Sequence, residues 1–302
     1  MIQLFVSIRR NLNYMLTIRT DLAAEAHELW QLNSAKTTSL SGVRARDEEI
    51  EGLSLHRVEI LSEEGSRALR KPRGTYLTLD VSPFFRHEAE SFSRVSRAIG
   101  ELLRQLLPEK GTVLVAGIGN AAMTPDALGP LTLDHLLITR HLRKVLPDFR
   151  AAAAVGAGVL GTTGIEVAEW VRGIAQRVKP SAVILVDALA ARSLDRLCTT
   201  IQIADSGLVP GSGVGNHRMA LNRETLGVPV VSIGVPTVVE ARTLARDLLQ
   251  GDAPEFSDRE TLFVTPDSID ARVRDLAKLI GYGINRALQP ELTVEDLAAL
   301  LE

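Results

Sequence analysis

The chain has 302 residues, a formal net charge of -3, 45% hydrophobic residues and 24% charged residues. That is an ordinary globular balance, large enough to bury its own core, and it gives no bulk-charge basis for gripping nucleic acid or a membrane surface. The single cysteine, Cys198, excludes an intrachain disulfide and a Cys-rich zinc cluster.

The opening stretch has short apolar runs broken by Gln3, Arg9, Arg10 and Asn11. It lacks the uninterrupted core of a signal peptide, so a cytoplasmic protein is expected. Thr20 stands as a cap before a helix over 20–33, with Leu22, Ala23, Ala26, Leu29 and Trp30 on one face. Residues 33–52 are polar and read as a loop. Residues 55–61 and 75–81 alternate like strands of a small sheet, and a helix over 87–107 stops at Pro108.

From Gly111 the pattern changes. Apolar strands are expected at 112–118, 151–155, 182–186, 228–235 and 262–264, with an alternating strand at 199–204. Helices are expected at 125–146, 163–178, 237–249 and 269–288. Apolar strands alternating with amphipathic helices predict an α/β fold: a mainly parallel twisted sheet with helices on both faces, of hydrolase or phosphorylase type, plus small N-terminal β/α decorations. The corresponding organisation is an N-terminal subdomain over 22–109 and a catalytic α/β domain over 110–302. In such folds ligands gather beyond the C-terminal ends of strands.

Two acids fall at such ends. Asp126 follows Thr124 and Pro125, a cap and first-turn pair, so it either complements a helix dipole or serves a site. Asp187 closes the most hydrophobic strand and either binds a following turn or projects into the same crevice. Two carboxylates in one crevice can share a proton, one acting as base toward water and the other as acid. A glycine-rich stretch, Gly211, Gly213 and Gly215, and the turn with Gly117, Gly119 and Asn120 are candidate oxyanion or substrate loops. His217 is a possible metal ligand, but the six histidines form no metal-binding pair motif.

A rival lies between Gly156 and Gly161, a full GxGxxG with Asp187 ending the next strand, the outline of a dinucleotide fingerprint. The acid stands 26 residues past Gly161, beyond the usual ~20. Thr163 and Glu166 also read as a capping box, so the glycines serve equally well as a tight turn.

The strings TPDALGP (124–130), LLITRHL (136–142), TTGIE (162–166), VDALAAR (186–192), TIQIADSG (200–207), PGSGVGN (210–216), ETLGVPV (224–230) and IGVPTVV (233–239) follow one another in this order. With FVTPDSID (263–270) and GINRAL (283–288) they resemble the germination protease family of spore-forming bacteria, from about residue 19 to the C-terminus. The resemblance implies an endopeptidase that degrades small acid-soluble spore proteins on germination. It also implies an atypical aspartic peptidase with a fold like that of hydrogenase-maturation proteases, made in the forespore as a tetrameric, self-trimming zymogen. The family's two functional aspartates sit in TPDALGP and in VDALAAR, which carries them to Asp126 and Asp187. No cofactor, no nucleic acid and no membrane partner are implied.

RTDLA (19–23) resembles both the family's processing region and its substrate pattern of acid, hydrophobic residue, alanine. Cleavage between Asp21 and Leu22 is therefore expected, which makes 1–21 a propeptide. The connection over 250–259 is short where better-known members carry a long insertion. Three other readings stand beside this one: a nickel-binding, maturation-type protease using the acids with His217; a dinucleotide-binding protein using the glycines of 156–161; and a stored, inactive scaffold.

Overall fold

Residues 19–33, 40–211, 218–248 and 261–301 are described by the computed structural model. Among these residues there are nine strands, most of them rich in Val, Ile, Leu and Ala: β1 (Val43–Ile50), β2 (Leu53–Ile60), β3 (Gly74–Asp80), β4 (Val113–Ile118), β5 (Ala152–Gly158), β6 (Ala182–Ala191), β7 (Thr200–Ala204), β8 (Val230–Glu240) and β9 (Phe263–Val264). They make one sheet in the order β1-β2-β3-β7-β8-β6-β4-β5, with β9 paired to β8. Strands β8, β6, β4 and β5 are parallel, as the βα alternation requires. The remaining pairs are antiparallel. The first three strands do not form a sheet of their own, because β3 pairs with β7 and continues the main sheet.

Strand parity sorts the side chains onto two faces. On the first face Leu77, Leu79, Ile184, Val186, Ile201, Ile203, Ile233 and Val235 join one continuous cluster. The helices there are α4 (Ser91–Leu106), α5 (Leu128–Leu133) and α10 (Ile269–Leu288), which contribute Val95, Ile99, Leu128, Val273, Ile280 and Ile284. The second face is covered in two separate patches. Helix α7 (Val167–Val178) covers Leu114, Ala116, Val183 and Leu185. Helices α1 (Ala23–Asn33) and α2 (Glu63–Leu69) cover Val58, Ile60, Tyr76 and Ala204. Between the patches a cleft runs over parts of β6, β7 and β8, where the sheet changes from parallel to antiparallel.

The remaining helices are short pieces or C-terminal: α3 (Ser82–Phe85), α6 (Leu160–Thr163), α8 (Arg223–Leu226), α9 (Ala241–Leu248) and α11 (Val294–Leu301). Among the described residues no helix is long and apolar enough to cross a membrane.

Several local expectations are corrected. Residues 43–50 form the exposed edge strand β1 rather than a loop. The single helix expected over 125–146 is instead a 3₁₀ turn at Thr124–Asp126, helix α5, and a second 3₁₀ turn at Arg140–Leu142. The chain breaks there because the Asn285 side chain accepts from Leu137 N at 2.9 Å and donates to His135 O at 2.8 Å, replacing helical partners. Thr163 and Glu166 form no capping box: α7 starts at Val167, and Thr163 Oγ1 binds Ile165 N at 3.1 Å. Strands β6 and β8 both run several residues beyond the sequence expectation, and a register shift at Leu189/Ala190 leaves Thr237 of β8 out of the ladder.

Candidate active site

Strand β4 ends at Ile118, and β6 continues past it. Gly117 pairs with Val186, so Asp187 is the first β6 residue beyond the β4 ladder. Asp187 is buried, pairs across to Gly234 on β8, and accepts its neighbour's amide, Ala188 N, at 2.9 Å. Burial pushes its carboxyl well above the usual carboxylate range, the Asp126 charge adds to the rise, and Asp21 contributes further. It does not end its strand as expected; it stands where β6 loses one neighbour.

Asp126 approaches Asp187 from the β4 side, close enough for its charge to act on Asp187, though it is not among the residues that line the cleft beside it. After Ile118 the chain turns at Gly119, whose φ of +122° puts it in glycine-only backbone, and a Cβ there would lie 2.0 Å from Asp126 O. Asn120 N then donates to Asp126 Oδ2 at 2.7 Å. The 3₁₀ turn is pinned from two sides: Thr237 Oγ1 of β8 donates to Pro125 O at 2.7 Å, and Thr124 Oγ1 donates to Asp270 Oδ1 at 2.8 Å. Thr124 therefore ties the turn to α10 and is not a cap. Asp126 is half-buried. Burial raises its carboxyl above the ordinary value, and the Asn120 amide partly offsets the rise.

The two acids thus differ. Both are raised by burial and each accepts one backbone amide, but Asp187 is the more deeply buried and the more strongly raised, with the Asp126 charge adding to its rise.

The cleft beside Asp187, about 330 Å³, is also lined by Arg19, Thr20 and Asp21. Asp21 N donates to Ala190 O, and Asp21 Oδ2 accepts from Ala190 N, both at 2.9 Å. These bonds use the part of β6 beyond its β4 partner. Lys71 Nζ donates to Thr20 O at 2.9 Å; burial lowers its pKa, and Asp21 and Glu25 partly restore it. Leu22 is fully buried. Thr20 Oγ1 accepts from Leu22 N at 3.0 Å and donates to Glu25 Oε2 at 2.5 Å. Buried Glu25 in turn accepts from Arg192 N and Ser193 N at 2.7 and 3.0 Å.

The profile of the family described as "Germination protease" matches residues 23–251. A germination protease of Caldanaerobacter subterraneus subsp. tengcongensis is 40% identical over 325 aligned positions, covering 95% of this chain and 99% of the relative. The chain belongs to the germination protease family. Family relatives include the germination proteases of Clostridium acetobutylicum, 39% identical (94% of this chain, 98% of the relative), and Clostridium perfringens strain SM101, 38% identical (95% and 100%). Among solved structures, the [NiFe] hydrogenase maturation protease HycI from Thermococcus kodakarensis KOD1 is similar with a TM-score of 0.36 and 22% identity, covering 61% of this chain and 98% of that one. Membership in this family makes the chain a protease.

The other sequence candidates fall as follows. Gly117 lies inside β4, where a Cβ would meet Gly129 O at 2.5 Å, so its glycine lets α5 lie directly on the sheet. Gly211 lines the cleft; Gly213, Gly215 and His217 lie outside the described residues. Among the described residues no group of three or more His, Cys, Asp or Glu is placed to hold a metal ion. The GxGxxG turn follows β5 at the sheet edge, and β4 separates β5 from β6, so Asp187 is not on the neighbouring strand that a dinucleotide fingerprint requires.

Sequence reasoning missed Thr237, Lys71 and Gln202. Only Gln202 left a trace, a polar residue between Ile201 and Ile203 in an otherwise apolar strand.

Proposed function

We propose that this protease is the endopeptidase that initiates degradation of small acid-soluble spore proteins during germination, acting in the spore core through paired aspartates. In this reading it is made as a zymogen that cuts its own Asp21–Leu22 bond, and the segment before Leu22 is a propeptide. The observation that supports it is that Asp21, the acid of the acid–hydrophobic–alanine run, lines the cleft beside Asp187, whose carboxyl burial and Asp126 raise well above the usual range, while Leu22 is buried behind it and Ala23 begins helix α1. The homotetramer follows from the family resemblance alone and is tested by sedimentation.

The chemistry follows from the unequal acids. The Asp126 carboxylate takes a proton from water as its oxygen attacks the Asp21 carbonyl carbon, and Asp187 gives its proton to the carbonyl oxygen. Collapse of the gem-diol breaks the C–N bond. The proton held by Asp126 passes to the leaving nitrogen, and Asp187 recovers one from the diol, so both acids return to their starting state. Raising Asp187 extends to higher pH the range over which it holds the proton this cycle needs.

The test is incubation with a small acid-soluble spore protein at mildly acidic pH, comparing wild type, Asp126→Asn and Asp187→Asn, with N-terminal sequencing of the protease. The wild type should digest the substrate and expose Leu22. Each variant should fold, keep its original N-terminus and lose at least 10³-fold in rate, the order seen when one member of a catalytic set is removed. Full activity in either variant overturns the assignment.

A further inference from the structure

The row of the sheet that carries Asp187 carries one more polar side chain at the cleft. Asp187 pairs with Gly234, and Gly234 pairs with Gln202 on β7. Residues paired directly across a sheet project from the same face, so Asp187 and Gln202 look into one cleft, two strand spacings or roughly 10 Å apart at the backbone. Gly234 between them carries no side chain. Gln202 is 8% exposed, and both ends of its amide are engaged. Nε2 donates to Asp21 O at 3.2 Å, and Oε1 accepts from Ala23 N at 2.8 Å. Turning the amide over would set two donors face to face at Ala23, so the network fixes its orientation.

We propose that Gln202 is the peptide-holding residue of this protease. Its amide brackets the residue after the scissile bond, donating to the scissile carbonyl and accepting from the next N–H but one. The proposal rests on the reading that the bond cut is Asp21–Leu22 and that Asp126 and Asp187 cut it.

Three features favour a glutamine in this role. A carboxylate cannot donate and an ammonium cannot accept, whereas a neutral amide does both. A neutral group also adds no charge to a cleft where Asp126 and Asp21 already raise Asp187. Finally, the bracket fixes which peptide bond lies over β8, between the amide and the acid. The bracketed residue, Leu22, is fully buried, so the clamp works together with a hydrophobic seat. The donor matters more as the reaction proceeds. A hydrogen bond to the carbonyl strengthens when its oxygen gains negative charge, so removing that donor lowers kcat more than it raises KM.

The probe is a peptide containing Thr-Asp-Leu-Ala, the chain's own residues 20–23, cleaved by full-length protein carrying Gln202→Met or Gln202→Glu, with Asp187→Asn in parallel. Gln202→Met keeps shape and loses both hydrogen bonds; kcat should fall about 10²-fold with a smaller change in KM, in line with loss of one oxyanion donor. Gln202→Glu can donate only when protonated, so its activity should return as pH falls, moving the pH profile toward acid. A residue that merely filled space would not move that profile, and this arm stands if Gln202→Met folds poorly. The rate at which Leu22 appears as a new N-terminus gives the same comparison in cis. Unchanged kcat and pH profile in both Gln202 variants, with Asp187→Asn inactive, overturns the clamp alone. Cleavage by Asp187→Asn overturns the two-acid reading, and the clamp with it.

Discussion

Strands β4 and β5 are neighbours in the sheet, and each runs into a glycine-bearing turn. The turn after β5 has the better-known spacing, yet a Cβ on Gly156 would find its nearest atom at 3.7 Å and one on Gly161 would find nothing within 4 Å. The turn after β4 has no such spacing, and its glycines are enforced by backbone. A Cβ on Gly119 would lie 2.0 Å from Asp126 O, and one on Gly129, in helix α5 just beyond the turn, would lie 2.2 Å from Ile118 O and 2.5 Å from Val186 O. The difference teaches that glycine spacing is a weak guide to a site. What presses against each glycine is a stronger one, and here it is the main chain that positions an acid.

The comparison breaks most sharply at Gly129. Gly129→Ala drives a methyl into main-chain atoms of two strands, so it should cost more than 3 kcal/mol or prevent folding, as read by thermal or denaturant unfolding. Asp187→Asn should do the reverse for stability while removing activity. The Asp187 carboxyl is raised, so its contribution to stability is full below the ordinary carboxylate pKa and is lost as pH rises through the higher folded value. The asparagine variant should lose that slope and gain on the order of 1–3 kcal/mol at neutral pH, seen as unfolding curves that converge with wild type in acid. Thr237→Val removes the bond to Pro125 O; it should cost about 1 kcal/mol and lower kcat roughly tenfold by loosening the turn that carries Asp126. Gly161→Ala is the smallest: no change in cleavage, and stability unchanged or improved by up to about 1 kcal/mol, since the position is helical and open.

The legible parts of the sequence were those in which one strand or helix buries its own face. Helix α10 matches its expected bounds, because its first half carries an amphipathic repeat and its second half is apolar enough to be buried all round. The edge strand β1, VRARDEEI, was lost because it has no buried face to announce it and is defined only by pairing with β2. The ALAA run after Asp187 looks helical by propensity but is held as strand by β8, a tertiary effect that no local pattern carries. Asp126 and Asp187 were visible because each follows an apolar strand of the parallel sheet, on the side where ligands gather. Their unequal environments were not, since burial and the Asn120 amide come from elements that meet only in the fold. Thr237 was invisible for the same reason: it lies 112 residues from Pro125, whose carbonyl it holds.

The bonds that fasten the N-terminal segment into the cleft also have a consequence for timing. Asp21 reaches Ala190 across 169 positions, Ala23 reaches Gln202 across 179, and Arg19 N reaches Thr243 across 224. Residues 19–23 thus find their partners only after β6, β7 and α9 have been made and the two strands inserted, the slow, non-local kind of closure. If Asp21–Leu22 is the bond cut, as proposed, the cut waits on completed assembly: a nascent or misfolded copy has no seat for the bond and keeps its original N-terminus, so the trimmed end would record that the sheet had closed.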